Sequence, residues 1–236
     1  MRLVFAVAML SAAAANADLT YGESPRNFMI EVKAGPYVPL IDRSFPTTKP
    51  FSKIFGTAPL ILGEIELDFQ VFQRFGSVAI GVSAGYTEKF APSIDAVTGK
   101  PVDGSSTGMR LFPLKLLGIY RFDYFALHGR VPVVPYVKLG LVAIPFAIVN
   151  GGQIEVSKGV RGAGARFGGV GVLGLSVLLD VLDQRLSRDF DNSMGVNHSY
   201  LFAEFALQEV NNFSATKAGD LDLSSKHFMF GLGFEF

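Results

Sequence analysis

The last eleven residues of the chain, Lys226–Phe236, alternate strictly between two kinds of side chain. Counted back from the C-terminus, every second residue is a phenylalanine or a leucine: Phe236, Phe234, Leu232, Phe230 and Phe228. The residues between them are small, polar or flexible: Glu235, Gly233, Gly231, Met229 and His227. A period of two predicts a β-strand with one apolar and one mixed face. A soluble β-sandwich can also end on such a strand, so the rest of the chain must decide what covers the apolar face.

The overall composition is unusually apolar for a soluble protein. Of the 236 residues, 49% are hydrophobic and 18% are charged, and the mean hydropathy is +0.35. Basic and acidic residues are balanced at 21 each, so we expect no nucleic-acid partner. The chain has no cysteine, which excludes disulfides, thiolate metal ligands, a cysteine nucleophile and a lipid-modified N-terminal cysteine.

The N-terminus has the three parts of an export signal. A basic start at Met1-Arg2 is followed by an apolar stretch, Leu3–Leu10, and by small residues that end in Ala15-Asn16-Ala17. This order predicts a signal peptide over residues 1–17, cleaved before Asp18, and a mature domain over residues 18–236. The apolar stretch is too short to remain as a membrane-spanning helix.

An exported apolar chain needs a place for its apolar surface. The longest apolar stretch further on, Val133–Val149, contains Pro135, Lys138 and Pro145 and is therefore a poor candidate for a spanning helix. The other backbone arrangement that lipid permits is a closed β-barrel, because closure pairs every strand. The sequence therefore favours a transmembrane barrel.

Eight segments of the chain carry the alternation that a barrel requires. Leu62–Phe72 shows it most clearly, since aliphatic or aromatic residues alternate there with Glu64, Glu66, Asp68 and Gln70. In a barrel the apolar residues face lipid and the charges face the lumen. The predicted strands are Phe28–Tyr37, Leu62–Phe72, Ser77–Tyr86, Gly108–Arg121, Val133–Ile144, Gly164–Leu175, His198–Gln208 and Lys226–Phe236. Because proline cannot donate to a ladder, Pro113 predicts a bulge or a broken hydrogen bond in the fourth strand.

The lengths of the connections support the same class. Val38–Ile61, Thr87–Thr107, Asn150–Ala163 and Val210–Ser225 are long and mostly polar, whereas the turn at Gln73–Gly76 is tight. Long loops on one side and short turns on the other are typical of outer-membrane barrels. The exception is the sixth connection, where near-helical spacing predicts a short amphipathic helix over Leu178–Phe190 that covers the periplasmic mouth.

The export signal, the eight alternating strands, the loop asymmetry and the terminal Phe236 resemble those of small bacterial outer-membrane β-barrel proteins, the OmpA/OmpX-like eight-stranded group. Two stretches, Leu175–Asp180 and Asn197–Glu204, are similar to a myxobacterial-type barrel family. The resemblance implies that the chain resides in the outer membrane and is inserted by the barrel-assembly machinery. It also implies that the closing strand carries the assembly signal, formed by Phe228, Phe230, Leu232, Phe234 and Phe236.

The candidate functional residues are the charges that the alternation places in the lumen. They are Glu31, Lys33, Glu64, Glu66, Asp68, Lys115, Arg121, Lys138, Glu204 and Glu235. The interior of an eight-stranded barrel is just wide enough for side chains, and buried charges must be paired or hydrated. We therefore predict an ion-pair network that plugs the lumen. The alternative is a narrow polar passage that favours cations, since six of the ten charges are acidic.

No arrangement of residues predicts catalysis. Lipid A deacylases use a His-x-Ser pair, whereas His198 and Ser199 are adjacent and point to opposite faces. Omptin-like proteases need clustered rim carboxylates and a histidine, and Asp95, Asp103, Asp220 and Asp222 with His227 match no such motif. The glycines at 151–152 and 162–164 lack the strand-loop-helix context of a phosphate loop.

The sequence therefore predicts a structural or binding barrel that presents external loops, with a small channel as the alternative and a membrane-embedded hydrolase as a third possibility. We expect no enzyme activity, no cofactor and no metal. Outer-membrane lipid and the assembly machinery are the expected partners, and the sequence names no extracellular ligand.

Overall fold

Eight long antiparallel strands close into a ring. The computed structural model of the chain describes residues 27–94, 100–124, 126, 131–157, 159–181, 195–213 and 221–236. The strands are β1 (Phe28–Tyr37), β2 (Leu60–Gln73), β3 (Ser77–Ile94), β4 (Pro101–Leu111), β5 (Leu114–Arg121), β6 (Val133–Asn150), β7 (Gln153–Ile154), β8 (Val156–Ser157), β9 (Val160–Arg161), β10 (Ala163–Leu178), β11 (His198–Glu209) and β12 (Ser225–Glu235). β4 and β5 together form one strand of the ring, and β7 to β9 are short pieces beside it. The predicted fold class, an eight-stranded antiparallel transmembrane barrel, is confirmed.

The first and last strands close the ring. β12 pairs with β11 on one side and with β1 on the other, where Ile30 lies opposite Phe234 and Val32 opposite Leu232. Backbone bonds extend this seam to the last residue, since Phe236 N–H donates to the carbonyl of Phe28 over 2.8 Å. The closing strand therefore has a backbone partner along both edges, as a barrel in lipid requires.

The fourth strand of the ring is interrupted at Pro113, as predicted. β3 pairs with β5 up to Leu114 and with β4 from Leu111, and the register on both sides of the interruption is the same. The ladder is therefore broken at Phe112 and Pro113 without the insertion of an extra residue. Nearby backbone groups remain paired, because Gly85 N–H donates to the Pro113 carbonyl over 2.8 Å.

The two faces of the wall are inverted relative to a soluble protein. Leu139 is 68% exposed on the outside, whereas its neighbour Lys138 is 0% exposed on the inside. The same contrast holds along β2, where Ile65 and Phe69 are exposed and Glu66 is buried. An exposed apolar belt around a charged interior is the surface pattern of a barrel that spans a membrane. No helix in the described ranges is both long and apolar enough to cross one.

Both ends of the described chain lie at one end of the barrel, which we call the inner end; the opposite end is the outer end. The tight turn between β2 and β3 is at the inner end, and the segment between β1 and β2 is at the outer end. A membrane-spanning strand needs about 9–11 residues. At 18, 18 and 16 residues, β3, β6 and β10 are longer, and they project beyond the outer end.

Several predicted boundaries were wrong at the outer end. Residues predicted as the loop Thr87–Thr107 instead continue β3 to Ile94 and begin β4 at Pro101, with Lys89 paired to Met109. β6 likewise runs to Asn150, past the predicted end at Ile144. In the projecting part of β3 and β4, polar residues such as Glu88, Lys89 and Arg110 interrupt the apolar alternation, although the backbone pairing continues.

Helices also differ from the prediction. The segment between β1 and β2, predicted as a loop, contains α1 (Ile41–Ser44) and α2 (Pro50–Phe55). Leu178, the predicted start of the amphipathic helix, is the last residue of β10 and pairs with Tyr200. A single 3₁₀ turn follows over Leu179–Val181. Residues 182–190 of the predicted helix lie outside the described residues, as does the predicted signal peptide.

Candidate functional site in the barrel lumen

Lys138 is at the centre of the charged residues in the lumen. Its ammonium is 2.6 Å from Glu31, 2.5 Å from Glu66 and 2.7 Å from Glu204. These four residues come from β6, β1, β2 and β11, so the contacts cross the lumen rather than follow one strand. All four side chains are essentially inaccessible to solvent.

A second ammonium shares the same three carboxylates. Lys33 Nζ is 2.6 Å from Glu66, 2.9 Å from Glu204 and 3.3 Å from Glu31. The ring of Phe202 borders both cations, at 5.9 Å from Lys33 Nζ and 6.0 Å from Lys138 Nζ. Three anions and two cations are thus held in one compact group, in which cation–π contacts add to the ion pairs.

Two further cations complete the network on either side of this group. Arg121 donates to Glu31 over 2.7 Å and also contacts Asp68. Lys115 is 2.6 Å from Glu64. Each of the four lumenal cations therefore contacts at least one carboxylate. A buried charge without such a partner would be very costly.

Glu235, the remaining residue of the predicted network, lies inside the barrel near its inner end. Within the described residues its carboxylate contacts neutral groups: it accepts hydrogen bonds from the Gln70 amide and, over 3.2 Å, from the Tyr200 hydroxyl. The structure therefore brings nine of the ten predicted residues into ion pairs and places the tenth beside them.

Glu31, Glu66 and Asp68 could each direct one oxygen to a common point, since these atoms lie within 4.8 Å of one another. Such oxygens can hold a hard cation. Here, however, Lys33, Lys138 and Arg121 already contact the three carboxylates. The positive charge that balances this cluster comes from the protein itself.

The outer half of the lumen is apolar. Buried side chains from the wall form a layer there, which we call the outer apolar layer: Tyr37, Leu60, Leu62, Met109, Leu111, Ile144, Val210 and Leu223. The residues 38–59, which we call the plug, add Ile41 and Phe51 to this layer, at 4% and 5% exposure. Phe45 and Phe55 of the plug pack against it. The plug thus covers the outer end of the charged network.

Sequence reasoning missed the plug, although a signal was present. Ile41 and Phe45 are four residues apart, and so are Phe51 and Phe55. This is the spacing of one helical face. These two pairs, in a segment that also carries several prolines, threonines and lysines, are consistent with two short helices that face a core. Full burial of each such side chain is worth about 1.5–3 kcal/mol.

A few polar contacts attach the plug to the rest of the barrel. Arg43 in α1 pairs with Asp222 through Nη2 at 2.8 Å and Nε at 2.9 Å. The backbone N–H of Leu40 donates to the Ser224 carbonyl over 2.9 Å. The Arg43 side chain is 52% exposed, and an ion pair of this kind contributes about 0–1 kcal/mol.

Asp42 joins the two helices of the plug. Its carboxylate accepts hydrogen bonds from the backbone N–H groups of Phe51, over 2.8 Å, and of Ser52, over 3.1 Å, at the start of α2. Burial disfavours the ionised carboxylate, but the side-chain hydrogen bond from Ser52 and these backbone bonds outweigh it and hold the pKa of Asp42 below its ordinary value.

Several buried polar atoms in the outer half have no hydrogen bond within the described residues. Within the described part of the chain, neither amide atom of Gln208 makes a hydrogen bond, and neither does Nε2 of His227. Both residues are buried, Gln208 to 2% exposure. The His227 ring packs edge-on against Tyr37 at 5.4 Å, and its Nδ1 is 3.2 Å from Ser225 Oγ. Unsatisfied buried polar groups of this kind cost about 1–3 kcal/mol each.

The other residues considered for catalysis are dispersed. His198 is at the inner end, 2.6 Å from Asp180, whereas His227 is near the outer end. Asp222 is paired with Arg43. Asp103 lies in β4, and Asp95 and Asp220 are outside the described residues.

The residues predicted as an assembly signal line the outer surface of β12. Phe228, Phe230 and Leu232 are exposed toward the membrane side of the wall, and Phe234 and Phe236 are half-buried. Phe236 stacks on Phe28 at 4.9 Å, across the seam between the first and last strands. Its ring therefore packs across the pairing of β1 with β12.

Comparisons with known structures return small outer-membrane barrels. The N-terminal barrel domain of Pseudomonas aeruginosa OprF is 14% identical over 88% of this chain and 97% of its own, with a TM-score of 0.39. The attachment invasion locus protein Ail of Yersinia pestis, solved with the heparin analogue sucrose octasulfate, is 10% identical over 89% and 97%, with a TM-score of 0.42. OprG of Pseudomonas aeruginosa is 13% identical over 91% and 98%, with a TM-score of 0.47. No protein-family model and no curated protein sequence matches the chain.

Proposed function

We propose that the protein is an outer-membrane barrel of the binding type, which uses a closed, rigid wall to present a projecting outer surface. One observation carries this proposal: the lumen is filled at two levels, by the ion-pair network and by the outer apolar layer with the plug. A barrel filled in this way leaves function to the parts outside the membrane, where loops on a rigid scaffold are the usual sites of binding.

The long strands supply such a surface. β3 and β4 remain paired beyond the membrane belt, with Ala91 opposite Thr107, and β4 continues the sheet to β6, with Thr107 opposite Asn150. Ser93, Ser105 and Thr107 are joined by hydroxyl hydrogen bonds of 3.0 Å on this sheet. A paired sheet is more rigid than a free loop, so a partner that binds it loses little entropy in ordering it.

The same proposal includes residence in the outer membrane, with the inner end toward the periplasm and the projecting sheet outside the cell. Lipid would contact the exposed apolar belt, and the barrel-assembly machinery would read the closing strand. We further propose that the protein has no catalytic activity, because the described residues bring no histidine together with a nucleophile and a carboxylate in an accessible place.

A narrow channel is the second candidate function. It is favoured by the unpartnered Gln208 and His227, which need hydration, and by the excess of acidic over basic groups in the lumen. Ions would have to pass both the plug and the Lys138 cluster. In that case transport would be slow and would favour cations.

Recording from single molecules in planar lipid bilayers separates the two candidates. For a closed barrel we expect no discrete conductance from the purified, folded protein at any voltage that the bilayer tolerates. Lys138→Met serves as the matched variant, because it removes the central cation. Reproducible conductance steps in the unmodified protein, altered in size by Lys138→Met, would contradict the closed binding barrel and support the channel.

A further inference from the structure

We propose that the plug is a movable lid and that the outer apolar layer beneath it is a binding pocket for a small apolar molecule from outside the cell. The occupant in the present structure is the protein itself, through Ile41 and Phe51. This inference goes beyond the projecting outer surface of the proposed function, since it places a binding site in the lumen.

The plug has little structure of its own to hold it in place. α1 has four residues and α2 has six, and helices this short do not persist in water without tertiary contacts. Neither helix has a side-chain hydrogen bond at its N-cap. Lys49, which precedes α2, has a φ of 43°, a left-handed conformation that is unfavourable for a residue with a side chain. The closed position therefore depends on contacts with the barrel.

Those contacts are of a kind that can be broken and remade. Arg43–Asp222 is largely open to water on the arginine side. The remaining attachments are the backbone bond from Leu40 to Ser224, the contact of Lys89 with the Ala58 carbonyl and the burial of apolar side chains. Opening the plug does not disturb any strand pairing, because residues 38–59 lie between β1 and β2 and belong to neither. The lid can thus move while the ring stays intact.

The space beneath the plug has a defined chemistry. Its wall is apolar, and on β2 the next inward residue below Leu62 is Glu64, which is paired with Lys115. This ion pair is the charged part of the pocket floor, next to buried apolar residues such as Leu117 and Val142. A charged ligand would have to compete with ion pairs already formed, whereas an apolar ligand would replace the side chains of Ile41 and Phe51 without loss.

The unpartnered polar groups refine the class of ligand. Gln208 and His227 lie at the same outer level, as the ring contact between His227 and Tyr37 shows. In the closed state the Gln208 amide lies near the Tyr37 hydroxyl, and Nε2 of His227 stays unsatisfied; the unsatisfied nitrogen disfavours closure. A ligand with one hydroxyl or carbonyl group could bond to them. The geometry therefore points to an uncharged, mostly apolar molecule, about as large as an isoleucine and a phenylalanine side chain combined, with a single hydrogen-bonding group.

Photolabelling of the full chain in lipid vesicles tests this inference. The probe is a benzyl alcohol that carries a trifluoromethyl-diazirine, which has the proposed size and polarity and inserts into nearby side chains on illumination. Mass spectrometry then compares labelling of Leu62 and Leu111 in the pocket with labelling of Leu116 and Leu139 on the lipid face. The lipid-facing residues serve as an internal reference, because the probe also dissolves in the membrane.

The variants open the lid in two independent ways. Arg43→Glu breaks the attachment to Asp222, and Ile41→Ala shortens a side chain that fills the pocket. We expect pocket labelling relative to the lipid face to rise by roughly 5-fold in Arg43→Glu, for the loss of one partly exposed ion pair, and by roughly 50-fold in Ile41→Ala, for the loss of three buried carbon atoms. Excess benzyl alcohol without the diazirine should suppress the pocket labelling alone.

Two controls define the outcome. Arg43→Lys keeps the charge and should label as the unmodified protein does, and Arg110→Glu breaks a comparably exposed pair with Glu88 on the outside of the wall and should change nothing in the pocket. The inference is overturned if pocket labelling stays unchanged in both Arg43→Glu and Ile41→Ala, or if it rises but is not suppressed by competitor. Bilayer recording is independent of this result, so failure of the pocket and failure of the closed barrel can be told apart.

Discussion

The two halves of the lumen are filled by different groups. In the inner half the charged side chains come from the strands themselves and are held together by ion pairs such as Lys138 with Glu66. In the outer half the wall contributes apolar side chains, and a segment between two strands supplies the rest through Ile41 and Phe51. The charged groups of the inner half therefore belong to the barrel wall, whereas the outer half is filled in part by the plug, a segment outside the strands.

This difference decides which half can open. Separating a buried ion pair leaves an uncompensated charge, which costs about 3–5 kcal/mol for each pair broken. Lifting the plug breaks no buried ion pair of the Lys138 cluster. It exposes apolar side chains, at about 1.5–3 kcal/mol for each of Ile41 and Phe51, and separates the partly exposed Arg43–Asp222 pair. We therefore expect a rigid inner half and an outer half that opens at a much lower cost.

The largest effect should follow from Lys138→Met. Methionine keeps much of the volume but removes the ammonium that contacts three carboxylates, and we expect the free energy of unfolding to fall by about 3–5 kcal/mol. Urea titration of the protein refolded into lipid vesicles measures this change. Lys226→Met is the matched control, since Lys226 is exposed and its loss should change stability by less than about 0.5 kcal/mol. Equal effects of the two substitutions would show that the inner network does not support the barrel.

A smaller and purely local effect is expected from Phe51→Ala. The substitution removes a plug side chain from the outer apolar layer, so hydrogen exchange at the α2 amides should accelerate by roughly 10- to 100-fold, corresponding to about 1.5–3 kcal/mol. The free energy of unfolding of the barrel, measured in urea, should remain within about 0.5 kcal/mol of the value for the unmodified protein. Phe90→Ala, an exposed phenylalanine on β3, provides the control. If Phe51→Ala instead lowers the stability of the whole barrel, the plug unfolds together with the barrel. The outer half would then not open separately from the inner half.

The inner half was predictable from the sequence and the outer half was not. Alternation along β2 assigns Glu64, Glu66 and Asp68 to the lumen because a period of two is a local property that survives in any barrel. The partners of these groups depend on how strands from distant parts of the chain face one another, so the three contacts of Lys138 could not be read in advance. The same holds for Glu235, whose neighbours are Gln70 and Tyr200 rather than a cation.

The plug lay beyond prediction for a different reason. Its helices are too short to be stable by propensity, and they exist because Asp42 accepts hydrogen bonds at the start of α2 and because Ile41 and Phe51 are buried. Both causes are tertiary. The projecting part of β3 illustrates a third limit, since polar residues such as Glu88 and Lys89 interrupt the apolar alternation by which strands are recognised.

The smallest expected effect is a pH dependence of plug stability, which concerns the outer half alone. The pKa of Asp42 is lowered in the folded plug, so its contribution to closure is present above the ordinary pKa of an aspartate, about 3.9, and is lost as the pH falls through the lower folded value. Asp42→Asn removes most of this contribution at every pH and should cost about 0.5–1 kcal/mol of plug stability near neutrality. Hydrogen exchange at α2, corrected for the intrinsic rate, should therefore differ between the two proteins at pH 6 and converge toward pH 2. A difference that persists unchanged into acid would mean that the Asp42 charge does not hold the plug, and closure would then rest on apolar burial and the Arg43 contact.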